Sequence, residues 1–475
     1  MSKFYITTPI FYPNANLHLG HAYNTTLVDI IARYHRLKGD EVYLLTGADE
    51  NTEKVVRAAS LAGVETKCYL DGIVANFKEL FRKLNISYDQ FIRTSDEEVH
   101  FPGAEEFWRR LVEAGDIEKR SYEGLYCVGH EAFITEKDLV EGKCPDHGET
   151  PQKLREENYF FKLSNYTKVV SEKIQSGELQ IIPETRKNEI LALLDRGLED
   201  VSFSRPSETV SVGVKVPGDP SQTIYVWCDA LVNYVSALGF GRKDDTLFTK
   251  FWPADVHVIG KDILRFHAAI WPAMLLSAKL PLPKQLFVHG FITSGGKKMS
   301  KTLGNVIDPN ELIAEYGGEA VRFFLARHIS PFEDGDITIE SFKEAYNADL
   351  ANGIGNLTSR IMKMAVTHLD RPVDVSGDIY PNLDYDKEFE SLDVQKAVSV
   401  LSAYIKNLDQ TIQLHQPFKL VKENKAKGVE LITALVREMY VIADKLQVFM
   451  PETSKEIQQL ILDNKMPEKP LFPRK

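Results

Sequence analysis

The chain has 475 residues, a length that suggests about two to four domains. Hydrophobic residues make up 43% and charged residues 26%, which is ordinary for a globular protein with a sizeable core. The formal net charge of −11 argues against a protein coated in positive charge, such as a histone-like binder. Four cysteines exclude a disulfide scaffold, and neither a signal peptide nor an apolar run of about 18 residues occurs, so we expect a cytoplasmic protein.

The first 60 residues predict a strand–helix–strand unit. Residues 4–8 are rich in β-forming side chains, residues 9–20 form a loop with many Pro and Asn, and residues 21–38 space their apolar side chains as a helix does. Residues 41–46 predict a second strand. The same order returns at residues 256–259, 262–278 and 285–288. Because such units pair their strands in parallel, the sequence predicts an α/β fold with a parallel sheet.

Two other regions differ from this pattern. Residues 117–223 separate the halves of the predicted sheet, and we take them as an insertion. From residue 341 onward, apolar residues recur at helical spacing with few strand signals, which predicts a helical bundle with an acidic loop at residues 374–393. The predicted domains are residues 1–116 and 224–340 for the two halves of the sheet domain, 117–223 for the insertion and 341–475 for the bundle.

The first motif that carries chemistry is His18-Leu19-Gly20-His21, where the loop after the first strand meets the helix. A glycine at a helix start lets a ligand approach the backbone, and the free N–H groups there favour phosphate. Flanking histidines can hydrogen-bond phosphate oxygens as charge builds in a transition state. Taken alone, these residues are better explained as capping or surface histidines.

The second motif is GGKKMSKT, residues 295–302, in a glycine-rich loop after the late strand. Its lysines can close over a triphosphate as negative charge develops on it. Taken alone, this segment is more often a solvated charged loop. The two motifs lie about 280 residues apart, each at the matching end of one half of the sheet, and together they favour a nucleotide site.

The pair of motifs resembles the HIGH and KMSKS signatures of class I aminoacyl-tRNA synthetases. Further blocks, in the same order along essentially the whole chain, resemble the methionyl-tRNA synthetases: TTPIFYPNANLHLGHA, LLTGADE, IYVWCDALVNY, HVIGKDILRFHAAIWPAML, HGFITSGGKKMSKTLGNVIDP and ANGIGNLTSRI. The resemblance implies a Rossmann-like parallel-sheet catalytic domain split by a zinc-knuckle insertion, followed by an α-helical anticodon-binding bundle.

The resemblance also implies a reaction in two steps. ATP, with Mg²⁺, activates L-methionine to methionyl-adenylate, and the methionyl group then passes to methionine tRNA for translation. His18 and His21 would stabilise the phosphates during attack by the methionine carboxylate, and Lys298 and Lys301 would hold the leaving pyrophosphate. Catalysis would then rest on positioning and charge stabilisation. The ATP-binding residues implied are Gly20, Gly260, Asp262, Lys298, Ser300 and Lys301.

The methionine site follows from the same resemblance. Asp49 would pair with the α-amino group, and Arg205 would support Asp49 as an ion pair. Asn51 and Thr52 stand where the family commonly has His-Gly, and Asn can replace some hydrogen bonds of His but not its protonation. Aromatic rings suit a thioether, although some of these residues are also explained as ordinary core. The rest of the site would be Ile10, Tyr12, Trp227, Ala230, Tyr234, Ile263 and His267.

A Cys/His cluster lies in the predicted insertion. Cys127 and His130 form one C-x2-H pair, and Cys144 and His147 form a second, which is zinc-finger-like spacing with a full tetrahedral shell. The flanking segments LYCVGHEAF and GKCPDHGETP resemble the family's zinc knuckle, which usually has Cys in place of His130. The cluster predicts a structural Zn²⁺ site, and a knuckle that has lost its metal is the alternative.

The helical bundle would recognise the anticodon. Asn356 and Arg360 are four residues apart, so both face one side of a helix, and within NLTSR they match the family's anticodon-contacting pair. An amide and a guanidinium can bind the edges of unpaired bases. Phe418 stands where the family typically has Trp and can still stack on a base. A capping or surface role for Asn356 and Arg360 is the alternative.

Two other functions stay open on the sequence alone. Another class I synthetase would share both motifs, but those for large aliphatic amino acids need a long editing insertion, and cysteinyl enzymes place zinc in the amino-acid pocket. A non-catalytic tRNA-binding paralogue has no need to keep both histidines and both lysines. Many relatives continue past the bundle into a dimerising tRNA-binding barrel for which no residues follow here, so we expect a monomer.

Overall fold

A computed structural model describes residues 2–127, 132–134, 136, 139–145, 148–210, 212–299, 305–376 and 384–475. The predicted strand–helix–strand unit is confirmed, but its first strand is longer than predicted. Ile10 and Phe11 continue this strand, where a loop was expected, by pairing with Gly47 and Ala48. The elements in this part are β1 (Lys3–Phe11), α1 (Leu19–Leu37), β2 (Glu41–Ala48), α2 (Glu53–Ala62), α3 (Thr66–Lys83), β3 (Gln90–Arg93) and α4 (Phe101–Glu113).

The segment predicted as an insertion contains small antiparallel sheets and one strand of the main sheet. Its elements are β4 (Ile117–Cys127), β5 (Ala132–Ile134), β6 (Gln152–Phe161), α5 (Thr167–Gln175), β7 (Gln180–Ile182), α6 (Glu184–Asp195), β8 (Val201–Ser202), β9 (Ser204–Pro206), β10 (Lys215–Val216) and β11 (Asp219–Ile224). The strands group as β5-β4-β6-β8 and β10-β11-β9. β7, however, pairs in parallel with residues 285–287. One strand of the segment predicted as an insertion therefore belongs to the main sheet, and the domain bounds 117–223 stay a prediction.

The second half of the sheet domain confirms both predicted strands but interrupts the helix between them. Its elements are α7 (Val226–Leu231), α8 (Asn233–Ser236), α9 (Thr246–Phe251), β12 (Val256–Gly260), α10 (Trp271–Ser277) and β13 (Gln285–His289). The helix predicted over residues 262–278 divides into a 3₁₀ turn at Lys261–Ile263, a π turn at Phe266–Ile270 and α10. Pro272 lies at the start of α10 and has no N–H for a regular helical bond, which accounts for the break.

The main sheet, among the described residues, has six parallel strands in the order β3-β2-β1-β12-β13-β7. Successive residues of β1 face opposite sides: Phe4 and Ile6 pack with Leu27 of α1, whereas Tyr5 packs in the cluster that contains Trp271. The strand order reverses between β1 and β12. In such sheets, ligands bind at the carboxyl ends of the strands beside this switch point.

The C-terminal part connects the sheet to the predicted helical bundle. The connecting elements are β14 (Ile292–Ser294), β15 (Lys297–Lys298), α11 (Pro309–Tyr316), α12 (Gly318–His328), β16 (Gly335–Asp336) and α13 (Ile339–Ala345). A π-helical segment at Tyr346–Gly355 leads into the bundle. The bundle consists of α14 (Asn356–His368), α15 (Asp386–Glu390), α16 (Val394–His415), α17 (Pro417–Glu423), α18 (Lys425–Leu446) and α19 (Pro451–Asp463). The fold class predicted from the sequence is confirmed.

The acidic segment 374–393 is not simply a loop. Its part from residue 384 contains α15, and Tyr385, Phe389 and Leu392 are buried. The ring of Phe389 stacks on Tyr34 of α1 with centroids 4.1 Å apart. This segment therefore fastens the bundle to the sheet domain. Of the helices in the described part of the chain, none combines the length and apolar character that crossing a membrane requires.

Candidate active site

A cavity of about 250 Å³ lies at the carboxyl ends of β1 and β12, where the strand order reverses. Its wall combines the loop after β1, the start of α1, the residue after β2, the α7–α8 segment and the turns after β12. Topology therefore brings together residues that are up to about 290 positions apart in the sequence, from Pro9 to Met299. The predicted site residues in its wall are Ile10, Tyr12, His18, Gly20, His21, Asp49, Trp227, Ala230, Tyr234, Gly260, Asp262, Ile263 and His267.

The two motif histidines cap α1 and also line the cavity. His18 Nδ1 accepts a hydrogen bond from the Gly20 N–H at 3.0 Å, and His21 Nδ1 accepts from the His18 N–H at 3.1 Å. Both histidines therefore carry a proton on Nε2 when neutral. Burial, with a smaller contribution from His18, lowers the pKa of His21 well below its ordinary value. A Cβ at Gly20 would lie 2.9 Å from His18 Cε1, so any larger residue at this position would displace the His18 ring.

The aromatic side of the cavity is ordered by one hydrogen-bonded pair. The Tyr234 hydroxyl lies 2.8 Å from His267 Nε2, and His267 Nδ1 lies 3.0 Å from the Ile263 carbonyl. The carbonyl can only accept, so His267 donates through Nδ1 and accepts from Tyr234 through Nε2. Burial lowers the pKa of His267 to about 4, which keeps the ring neutral. Trp227 is half-buried and stacks on Phe266, with ring centroids 3.7 Å apart.

Asp49 supplies a buried carboxyl to the opposite wall. The residue is 3% exposed, and its N–H donates to the Phe11 carbonyl at 2.9 Å. This bond joins the chain after β2 to the end of β1. The ammonium of Lys54 lies 4.6 Å from the centre of the ring of Tyr12, which lines the cavity.

Arg205 lies beside a neighbouring cavity, beneath the antiparallel strands. It donates to Ser202 Oγ at 2.7 Å and to the Ser204 carbonyl at 2.9 Å. Its guanidinium also lies 4.9 Å from the centre of the Tyr225 ring. These contacts hold β8, β9 and the start of α7 together. The ion pair of Arg205 with Asp49 stays a prediction.

Several residues of the cavity wall were missed by sequence reasoning. Asn24 lies one helical turn after His21, and its Nδ2 donates to His289 Nε2 at 2.9 Å and to the Val258 carbonyl at 3.3 Å. Two features of the sequence could have indicated these residues. Asn24 is three positions after His21 on the same helix, and His289 begins the HGF block that leads into the second motif. The missed residues include Asn24, Asn233, His289, Gly290, Phe291 and Met299.

The second motif begins in a hairpin beside the cavity. β14 and β15 pair in antiparallel fashion, with Gly295 and Gly296 at φ of +61° and +72° in the turn. Asp336 Oδ1 accepts from the Gly296 N–H at 2.8 Å, which anchors the turn to β16. Met299 lines the cavity, so the backbone carries the motif toward it. The Lys298 side chain, Ser300 and Lys301 lie outside the described residues.

The predicted zinc knuckle is described only in part. Cys127 ends β4, and the Cys144 carbonyl accepts a hydrogen bond from the Gly148 N–H at 2.8 Å. Both cysteines are buried, as thiolate ligands of a structural metal are. His130 and His147 lie outside the described residues, and the part of the chain that is described contains no group of three potential ligands. Zinc therefore stays a prediction.

The predicted anticodon residues lie on two helices of the bundle, α14 and α17. Asn356 is exposed at the start of α14, and the half-buried Arg360 forms an ion pair with Asp409 of α16. Phe418, 44% exposed, lies on α17 directly after α16. An exposed ring of this kind is available for stacking on a base. The anticodon-binding role of Asn356, Arg360 and Phe418 stays a prediction.

Comparison with known families agrees with this fold and cavity. The family model described as "tRNA synthetases class I (M)" matches residues 4–153 and 146–362. The protein is therefore a class I aminoacyl-tRNA synthetase, an aminoacyl-tRNA ligase. The methionine–tRNA ligase of Clostridium acetobutylicum is 42% identical over an alignment that covers 96% of this chain and 73% of that protein. The chain belongs to the methionine–tRNA ligase family.

Other relatives support the same family. The methionine–tRNA ligase of Caldanaerobacter subterraneus is 41% identical over 96% of this chain and 73% of its own length. The structure of Mycobacterium tuberculosis methionyl-tRNA synthetase in complex with methionyl-adenylate has a TM-score of 0.93 and 35% identity, covering 100% of both chains. The apo form of that enzyme has a TM-score of 0.85 and 33% identity, covering 100% of this chain and 98% of that one.

Proposed function

We propose that the cavity between β1 and β12 is where this ligase activates L-methionine with ATP, before the methionyl group passes to methionine tRNA. One observation carries this assignment: a single cavity is lined both by the α1 start, with His18 and His21, and by the Asp49 and Trp227 walls. The first set suits phosphate, and the second suits an amino acid with an apolar side chain.

The amino acid is expected to bind between a buried carboxyl and aromatic rings. Asp49 would pair with the α-ammonium group, because a buried carboxylate is best satisfied by a cation. Trp227 and Tyr234 would contact the thioether, which is polarizable and favours aromatic neighbours. The neutral His267 keeps a positive charge out of this side of the cavity, which suits an uncharged substrate side chain.

ATP is expected to bind along the start of α1. The Nε2–H groups of His18 and His21, at the positive end of the α1 dipole, would donate to phosphate oxygens as the methionine carboxylate attacks the α-phosphorus. Gly260 and Asp262, at the end of β12, would hold the ribose. Lys298 and Lys301 would neutralise the departing pyrophosphate, and Ser300 belongs to the same ATP-binding motif. Mg²⁺ accompanies ATP as part of this substrate.

The remaining assignments concern the other domains. Asn356, Arg360 and Phe418 would contact the anticodon of methionine tRNA. Two thiolates and two imidazoles would hold a structural Zn²⁺, which ties the ends of the knuckle together. Its ligands would be Cys127, His130, Cys144 and His147. We also propose that the protein acts in the cytoplasm.

The test is amino-acid-dependent exchange of pyrophosphate into ATP, measured with each of the twenty amino acids. Methionine is expected to support exchange far above the others. Trp227→Ala is expected to raise the KM for methionine while the KM for ATP changes little. Exchange with another amino acid, or equal changes in both KM values, would contradict the assignment of the cavity.

A further inference from the structure

Behind the wall of the cavity lies a second buried polar cluster. It consists of Asn51, His100, Asp229 and Ser236, each 5% exposed or less. Asn51 Nδ2 donates to Asp229 Oδ2 at 2.8 Å, and His100 Nε2 lies 2.9 Å from Asp229 Oδ1. His100 Nδ1 lies 2.8 Å from Ser236 Oγ. We call these four residues the Asp229 cluster.

The atoms of the Asp229 cluster leave little choice of donor and acceptor. A carboxylate only accepts, so His100 carries a proton on Nε2, and its neutral form accepts from the Ser236 hydroxyl on Nδ1. Each oxygen of Asp229 is thus bound by a separate side chain. Because a buried acceptor that loses its donor is costly, the cluster favours one orientation of α7.

Two members of the cluster stand next to residues of the cavity wall. Asp229 follows Trp227 by two positions on α7, and Asn51 follows Asp49 by two positions after β2. Asn51 Nδ2 also donates to the Thr94 carbonyl, just after β3, at 2.8 Å. The amide of Asn51 therefore joins the segment that carries Asp49 to the helix that carries Trp227.

We propose that Asn51 and His100 are positioning residues, which act through Asp229 to hold Trp227 at the distance from Asp49 that methionine requires. The proposal rests on the proposed function, which places Asp49 and Trp227 at the methionine. One amide nitrogen carries two N–H groups and serves both of its acceptors, whereas a neutral imidazole has a single N–H. Asn51 makes both bonds without adding a charge.

The test compares substitutions at position 51 by pyrophosphate exchange. Asn51→Leu keeps the volume of the side chain and removes both N–H groups. It is expected to raise the KM for methionine about tenfold, since a hydrogen bond to a buried carboxylate is lost, with the KM for ATP within about twofold of wild type. Asn51→His restores one donor and is expected to return the methionine KM to within about threefold of wild type.

Ser277→Ala is the matched control, because it removes a buried hydrogen bond to Asp116 Oδ2 at 2.7 Å in the same half of the protein. It is expected to lower Tm and leave the KM for methionine unchanged. If Asn51→Leu does not fold, Ser236→Ala disturbs the cluster more gently and is expected to raise the methionine KM about threefold.

A methionine KM within twofold of wild type in the folded cluster variant would overturn the positioning role. So would an equal rise of both KM values, since that indicates general structural damage. Either result, obtained while the wild type exchanges with methionine, leaves the proposed function intact. A wild type that lacks methionine-dependent exchange would refute the proposed function and the positioning role together.

Discussion

Arg322 of α12 forms a buried ion pair with Asp29 of α1, the helix that begins at the motif histidines. We expect this ion pair to hold α1 against the helical bundle. Both side chains are fully buried, with Arg322 Nη1 2.7 Å from Asp29 Oδ2. The Arg322 guanidinium also donates to the Phe449 carbonyl at 2.9 Å, the Leu84 carbonyl at 3.0 Å and the Val448 carbonyl at 3.2 Å. One side chain thus connects α1, the end of α3 and the turn between α18 and α19.

Arg322→Met keeps much of the side-chain volume but leaves a buried carboxylate and three carbonyls without this donor. Removing one member of a buried ion pair costs about 3–5 kcal/mol of unfolding free energy. Asp29 retains bonds from Arg33 Nε at 2.8 Å and the Ser87 N–H at 2.7 Å, so we expect the lower end of that range. Denaturant unfolding of the two proteins measures the difference.

The pH dependence of this difference gives a second check. Burial is the largest influence and raises the pKa of Asp29, but Arg322, Arg33 and the hydrogen bonds from Ser87 together outweigh it, so the net pKa is lowered. The contribution of Asp29 is therefore complete above the unfolded pKa of about 3.9 and is lost as the pH falls through the lower folded pKa. In Arg322→Met the effect of burial is no longer offset by Arg322, so we expect the pKa of Asp29 to rise above its unfolded value. The deficit in unfolding free energy should then be largest at pH 7 and shrink toward pH 4 as Asp29 takes up a proton in the folded variant.

Arg322→Lys is the control, since it keeps the charge but cannot reach all of the carbonyls with one ammonium group. The unfolding free energy of Arg322→Lys is expected to lie between those of wild type and Arg322→Met. A loss of less than about 1 kcal/mol of unfolding free energy in Arg322→Met would contradict a stabilising role of the Arg322–Asp29 ion pair. A deficit that is constant from pH 7 to pH 4 would contradict it as well.

Three further predictions address the sites. Arg360→Ala should leave pyrophosphate exchange intact and cripple tRNA aminoacylation, whereas equal losses in both assays would exclude an anticodon role. Tyr234→Phe should raise the methionine KM about threefold to tenfold, because the hydrogen bond to His267 is lost, and an unchanged KM would contradict the described pocket. Purified protein should contain about one zinc per chain, and Cys144→Ser should abolish it; wild-type protein without zinc would favour the metal-free knuckle.

The sequence predicted the parts of the fold and site that depend on local patterns. The β1–α1 unit and the cavity residues near His18 and Asp49 lie in contiguous blocks, so their placement at the carboxyl ends of the strands followed from parallel topology. The pairing of β7 could not be predicted, because three residues between two helices carry no signal for the sheet they join.

Long-range contacts account for most of the other differences. The acidic composition of residues 374–393 indicates only solvent exposure. In the structure, however, Phe389 of this segment stacks on Tyr34 of α1 and holds the bundle against the sheet domain. Asn24 and His289 meet through a hydrogen bond across 265 positions, and neither residue type is distinctive alone. Pro272, by contrast, was a visible signal that a regular helix would be interrupted.

The central claim, that methionine is activated between Asp49 and the aromatic wall, is tested most directly by Asp49→Asn in pyrophosphate exchange. This variant keeps the shape of the side chain and removes the charge that would pair with the α-ammonium group. We expect the methionine KM to rise about a hundredfold or more while the KM for ATP stays within about twofold of wild type. A methionine KM close to that of wild type would contradict it.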